Sequence, residues 1–351
     1  MTAAPSVNLK DLSPEELAGF FEALGQKPFR ARQVLGWLYR SRCASFGDMT
    51  DLAKGLRTEL EKKARLSRPR LAEEAVAEDG TRKFLWALED GSGVESVLIP
   101  ERDHLTLCLS SQVGCAMGCR FCRTAGLGLK RNLTQAEILD QVLGALDRAG
   151  PEARLTNIVF MGMGEPLANR ENVIRALRII IAPGLLGFSR RRLSVSTVGL
   201  VPELPRLAEA GDVGLTVSLN AADDRTRGRL MPINRRYNLA ALHRALAAHP
   251  LPRGRRITIA YVLLAGVNDS EEDARKLVHY LHGLKVKVNL IPFNPYPGAE
   301  FEPPDEKTVQ DFLEVLVERK YTAIVRKSKG RDIAAACGQL AGEARGDSSS
   351  T

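Results

Sequence analysis

Three thiols crowd one short stretch of this 351-residue chain, Cys115-Ala-Met-Gly-Cys119-Arg-Phe-Cys122, spaced C-x3-C-x2-C. Gly114 and Gly118 let the backbone fold tightly enough for the sulfurs to converge. Thiolates are ligands for zinc and for iron–sulfur clusters. A structural zinc site wants four ligands. No fourth Cys or His follows at short range, and the nearest upstream are Cys108 and His104. A four-iron cluster held by three cysteines would keep one iron open to bind and activate a substrate. A zinc knuckle, or three unrelated buried cysteines, are the readings that these residues leave open. Outside the triplet, Cys108 lies in LTLCLSS, seven positions before Cys115, and Glu95 lies in GVESVLIPE. Cys337 lies in Gly330-Arg-Asp-Ile333-Ala-Ala-Ala-Cys337-Gly-Gln-Leu, where small neighbours leave room for a bulky group beside the thiol. Cys43 has no such setting and is expected to be structural.

The elements that must position these groups follow from pattern. Residues 1–66 read as a small helical domain. Ser13-Pro14-Glu15-Glu16 is a capping box with proline at the first helical position, Leu17, Phe20, Phe21 and Leu24 share a face, and Gly25 ends the helix. Further helices are expected near residues 30–42 and 52–64. Residues 67–100 change character: TRKFLWAL and GVESVLIPE are strand-like and joined by a Gly-rich turn, so a β-hairpin extension is expected. From 101 to 341 strand patterns at 105–111, 157–164, 192–199, 214–221, 256–266 and 287–294 alternate with helical ones. Such alternation means parallel pairing with crossover helices. Six units are too few to close an eight-stranded barrel. The expected fold is therefore α/β, a partial (β/α)6 TIM-like barrel, with a doubly wound sheet as the fallback. Residues 322–327 could add an edge strand, and the small, polar tail at 342–351 is expected to be disordered.

In α/β folds sites gather at the C-terminal ends of the strands. Here those ends carry the cysteine loop, Gly162-Met-Gly164-Glu165-Pro166, Ser196-Thr197, Ser218-Leu219-Asn220 and Asn294. Taken singly, each is as readily a turn-forming residue. The formal net charge of +8 fits a polyanionic partner. Six cysteines, three of them clustered, argue for a reducing cytoplasm rather than a disulfide framework. No basic segment precedes an apolar core at the N-terminus and no run of about eighteen apolar residues occurs, so neither a signal peptide nor a membrane span is expected.

The C-x3-C-x2-C spacing resembles the signature of radical S-adenosylmethionine (SAM) enzymes, and GMGEP resembles their GGEP-type motif. The resemblance implies a 4Fe-4S cluster on Cys115, Cys119 and Cys122. It implies that SAM chelates the free iron through its amine and carboxylate and is split to a 5′-deoxyadenosyl radical. Glu165 and Pro166 would then hold the methionine ammonium. Ser196, Ser218, Leu219, Asn220 and Asn294 would bond the ribose, carboxylate and adenine. TLCLSSQVGCAMGCRFCRTAG, GMGEP, SLN, PFNP and DIAAACGQL together resemble the RlmN/Cfr family of radical SAM RNA methyltransferases, over nearly the whole chain. That resemblance implies the use of two SAM molecules. The first methylates Cys337, and the second provides the radical that draws a hydrogen from the S-methyl group, so that the methylene adds to C2 of adenine. Glu95 is then the base that removes the C2 proton. Cys108 is the thiol that releases the product, leaving a transient Cys108–Cys337 disulfide for external reduction. The implied substrates are an adenosine of 23S rRNA and one beside the anticodon of tRNA, served by an external, flavodoxin-like electron donor, with the enzyme a monomer.

The basic clusters Arg190 to Arg192, Arg235-Arg236, Arg253 to Arg256 and Arg326 to Arg331 could track RNA phosphates, as could Lys27, Arg30, Arg32, Arg40, Arg42 and Lys54 of the helical domain. No motif separates methylation at C2 from methylation at C8. A radical SAM enzyme on a small molecule or peptide would have no need of Cys337. A zinc-stabilised RNA-binding protein would have no need of a cluster.

Overall fold

The computed structural model describes residues 6–150 and 152–343, so most of the tail expected to be disordered lies outside the described residues. Among the described residues ten strands form one sheet, in which every neighbour in space is also the next of the ten in sequence. They are β1 (Arg70–Val76), β2 (Arg82–Ala87), β3 (Gly93–Pro100), β4 (Leu105–Cys108), β5 (Leu155–Phe160), β6 (Leu193–Thr197), β7 (Gly214–Ser218), β8 (Ile257–Leu263), β9 (Val286–Pro292) and β10 (Ala323–Val325). From β4 to β10 all pairing is parallel, whereas β1 to β4 pair antiparallel. The six parallel units are those expected, with β10 as the edge strand. The hairpin read as an extension is continuous with this sheet. It gains a third strand, β1, whose sequence RLAEEAV hides it behind edge carboxylates.

Crossover helices cover the parallel part. They include α4 (Gln135–Ala149), α5 (Arg170–Ile181), α6 (Asp224–Leu230), α7 (Leu239–Ala248), α8 (Glu271–Leu281) and α9 (Glu306–Glu318), which follow the N-terminal α1 (Pro14–Ala23), α2 (Phe29–Leu35) and α3 (Lys54–Lys63). Local chemistry starts them. Ser13 accepts from the Glu16 amide at 3.1 Å while Glu16 accepts from the Ser13 amide at 2.7 Å, and Thr134 and Glu137 repeat the arrangement on α4. Each such cap contributes about 1 kcal/mol.

The helical domain docks on α4 and α5 through buried charge. Lys10 Nζ meets Asp140 at 2.6 Å, with both side chains under a tenth exposed. Burial pushes the Asp140 carboxyl up, against the pull of Lys10. Gln135 donates to the Lys10 carbonyl, and Arg175 pairs with Glu16. Removing one partner of such a buried pair costs about 3–5 kcal/mol, because the other charge is left stranded.

Candidate active site

The C-terminal ends of β4 to β9 open on one cavity with about 970 Å³ of empty space, mouth included. Cys115, Cys119 and Cys122 border it from one side, and Glu165, Ser196, Ser218, Asn220 and Asn294 from the strand ends. Cys337 borders it from the C-terminal segment. Four of the residues singled out in the sequence do not line it. Pro166 is buried in the turn after β5. Leu219 is buried, and its carbonyl accepts from Arg227 at 3.1 Å. Cys108 and Glu95 lie just outside, on the adjoining antiparallel strands.

The cysteine loop is fixed by its flanks. Gln112–Gly114 pairs antiparallel with Leu129–Asn132, and the Cys115 amide donates to the Gly128 carbonyl at 2.9 Å. Gly114 has φ +77°, and a Cβ there would run into that same carbonyl, so only glycine closes the loop. On the far side the Arg120 amide donates to the Leu230 carbonyl at 3.0 Å. Burial pushes the Cys115 thiol up to about 11 and raises Cys119 well above the ordinary thiol range. Thiols in that position stay protonated until a metal takes the proton's place. Among the described residues no three His, Cys, Asp or Glu side chains gather tightly enough to chelate a single ion. The three cysteines border the cavity from one side.

Glu165 faces this space with 2% of its surface exposed. Its carboxylate accepts from the Val198 amide at 2.8 Å and the Leu167 amide at 3.0 Å, tying the end of β5 to the end of β6. Burial still lifts its pKa to about 7. No cation is bonded to this carboxylate among the described residues, which suits it to a ligand's ammonium. Asn294 adds an unpaired group: its Nδ2 donates to the Cys337 carbonyl at 3.3 Å, while its buried Oδ1 has no partner. Asn220 sits at φ +59°, and its Oδ1 accepts from the Val262 amide, linking β7 to β8.

The antiparallel strands bring the remaining residues to the same place. Lys83, Val97 and Cys108 stand opposite one another across β2, β3 and β4, and Glu95 is two residues from Val97, so their side chains share one face. Cys108 is buried, and both burial and the nearby Cys337 push its thiol up. Cys337 is exposed to the cavity, and burial against the surrounding protein raises its thiol too. Glu95 does not sit in an apolar surround. Lys83 Nζ lies 2.8 Å from it, and the Ala341 and Gly342 amides donate to its Oε2 at 2.7 and 3.0 Å. Gly342, taken in the sequence for the start of the tail, is thus held in place.

Sequence reasoning missed Lys83 and Arg227. Arg227 is 1% exposed and binds the Leu219 and Val198 carbonyls and Asn234, locking the ends of β6 and β7 to the turn after α6. Its setting in DRTRGRL looks like a solvated helix face, and only burial distinguishes it.

The strand ends, the three-thiol loop and the six parallel units define a radical SAM enzyme, and residues 109–278 match the model of the radical SAM superfamily. The cofactors of this class, a 4Fe-4S cluster and SAM, are those of this chain. Residues 7–66 match the N-terminal domain of ribosomal RNA large subunit methyltransferases. The chain is 53% identical to the dual-specificity RNA methyltransferase RlmN of Geobacter sulfurreducens, over 96% of this chain and 92% of that one. It is 51% identical to the protein of the same name from Desulfosudis oleivorans, over 97% and 92%. A radical SAM methyltransferase from Sphaerobacter thermophilus superposes with a TM-score of 0.90 at 44% identity, over 96% of this chain and all of that one. The chain belongs to the RlmN family.

Proposed function

We propose that this chain is a radical SAM RNA methyltransferase that methylates C2 of an adenosine in 23S rRNA and of one next to the anticodon in tRNA. One observation carries the reading: Cys337, far away in sequence, borders the same cavity as the three cluster cysteines and Glu165. An enzyme that acted on its substrate with cluster and SAM alone would need no fourth thiol there.

When bound, the cluster and SAM supply one electron, a hydrogen-abstracting species and a methyl group. Cys115, Cys119 and Cys122 hold the cluster, and Glu165 with the strand-end hydroxyls and amides orients SAM. Cys337 takes a methyl group on its sulfur and presents it to the adenine. Glu95 accepts the C2 proton. Cys108, buried beside Cys337, then takes the place of the product on the Cys337 sulfur, and an external thiol reduces the resulting disulfide.

The basic clusters divide by position. Arg190–Arg192 and Arg253 to Arg256 precede β6 and β8, at the end of the barrel opposite the cavity. Arg235 and Arg236 follow α6, whose last carbonyl bonds the cysteine loop, and the Arg326 to Arg331 segment follows the end of β10, and we assign RNA contact to these. Their charge favours a phosphate backbone there, with the target base turned out of its stack to reach the cavity. We place the enzyme in the cytoplasm, as a monomer served by a flavodoxin-like electron donor.

The test is anaerobic reconstitution with iron, sulfide, SAM and a reductant, followed by nucleoside mass spectrometry of 23S rRNA fragments and tRNA. The expected product is 2-methyladenosine. An 8-methyl product would reassign the regiochemistry, and unmodified RNA with turnover of SAM on another substrate would overturn the reading.

A further inference from the structure

The segment that carries Cys337 has no helix or strand of its own from residue 326 to 343. Its backbone enters the left-handed region at Gly330, Ala334, Gly338 and Gly342, and Ala334, with φ +52°, does so against its own Cβ. Such a path persists only where other groups hold it. The two ends of the arch around Cys337 are held by one buried ion pair. Lys83 Nζ reaches the Ala334 carbonyl at 3.4 Å on one side and Glu95 Oε1 at 2.8 Å. Glu95 Oε2 takes the Ala341 and Gly342 amides on the other side. Lys83 and Glu95 are diagonal neighbours on β2 and β3, with side chains 10% and 2% exposed.

We propose that Lys83 is a positioning residue that clasps the Cys337 arch through Glu95. The proposal rests on the reading of Cys337 as methyl carrier and Glu95 as base. In the clasped state both oxygens of Glu95 are engaged by donors, and neither borders the cavity.

The experiment is hydrogen exchange by mass spectrometry on the full-length holoenzyme, following the peptide with the Ala341 and Gly342 amides. Lys83→Met is expected to speed their exchange roughly tenfold, as loss of one charge-assisted bond would, and Lys83→Arg to restore most of the protection. Gly342→Ala is the second variant. Its Cβ would meet the Gly93 carbonyl at 2.7 Å and Met163, pushing the arch off Glu95 without touching Lys83. The companion readout is the mass of the Cys337 peptide after incubation with SAM. Methyl loading should slow by a similar factor in Lys83→Met and recover in Lys83→Arg. Unchanged exchange in both Lys83→Met and Gly342→Ala would overturn the clasp. Faster exchange with wild-type methyl loading would overturn the positioning role. A wild-type Cys337 that never gains a methyl would overturn the proposed function alone, because the exchange rates still decide the clasp.

Discussion

Two thiol-bearing segments border the cavity side by side, and they are held in opposite ways. The cysteine loop is built into the fold. It is flanked by a strand pair, closed at Gly114 and stitched to the turn after α6 through Arg120. The Cys337 segment is laid over the sheet and fastened by side chains and single backbone bonds. Gly338 accepts from the Arg123 amide at 2.8 Å, Leu340 from the Thr124 hydroxyl at 2.6 Å, and Glu95 takes the far end. Cluster ligands gain from rigidity, since metal affinity depends on preformed geometry. On the proposed function the Cys337 sulfur meets a methyl donor, a base and a second thiol in turn, and such a sulfur gains from fastenings that can be undone.

The sharpest way to break that contrast is to delete thiols on each side. Cys115→Ala, Cys119→Ala or Cys122→Ala should each remove bound iron, measured by metal analysis and visible absorption. RNA methylation should fall by at least about three orders of magnitude, since every later step needs the cluster. The far-ultraviolet circular dichroism should stay unchanged, because losing one buried sulfur costs only about 1–2 kcal/mol. Cys337→Ala should abolish RNA methylation to the same degree yet keep full iron content and SAM cleavage. Loss of iron in that variant would show that the two segments form one structural unit. Cys108→Ala tests the mobile side alone. It should accumulate protein covalently joined to RNA, visible as a band shift that resists denaturation, and its absence under turnover would remove Cys108 from the release step.

The same contrast explains what could be read from sequence. The barrel was legible because each parallel strand is an apolar run bounded by turns and every crossover helix named above except α5 has a side-chain cap, as at Thr134-Gln-Ala-Glu137. The cysteine loop was legible because its ligands are neighbours along the chain. Strand β1 was not, since Glu73 and Glu74 break its alternation. The environment of Glu95 was not legible either. Its partners come from β2 and from residues nearly 250 positions away, and no local pattern encodes a contact of that separation. Arg227 fails for a related reason: its carbonyl partners are strand ends, which every sequence has.

On the rigid side the effect is smaller but carries a sign. Burial raises Glu165 from 4.5 to about 7 in the folded protein. Between those values the folded state keeps a proton that the unfolded state has released, so stability falls as pH rises. Above pH 7 both states are ionised and the whole cost of the buried charge remains, on the order of 3 kcal/mol. Glutamine never ionises. The stability of cluster-free Glu165→Gln relative to wild type should therefore climb from pH 5 to pH 8, as read by urea unfolding at both values, and level off above. SAM bound to the wild-type holoenzyme would supply the missing cation and flatten that slope, while Glu165→Gln should bind SAM roughly tenfold more weakly, the scale of one lost charge-assisted bond. A stability difference that does not change with pH would mean that Glu165 finds its counter-charge within the protein. The strand-end side of the cavity would then be complete without a ligand, and the contrast with the unfastened Cys337 segment would lose half its basis.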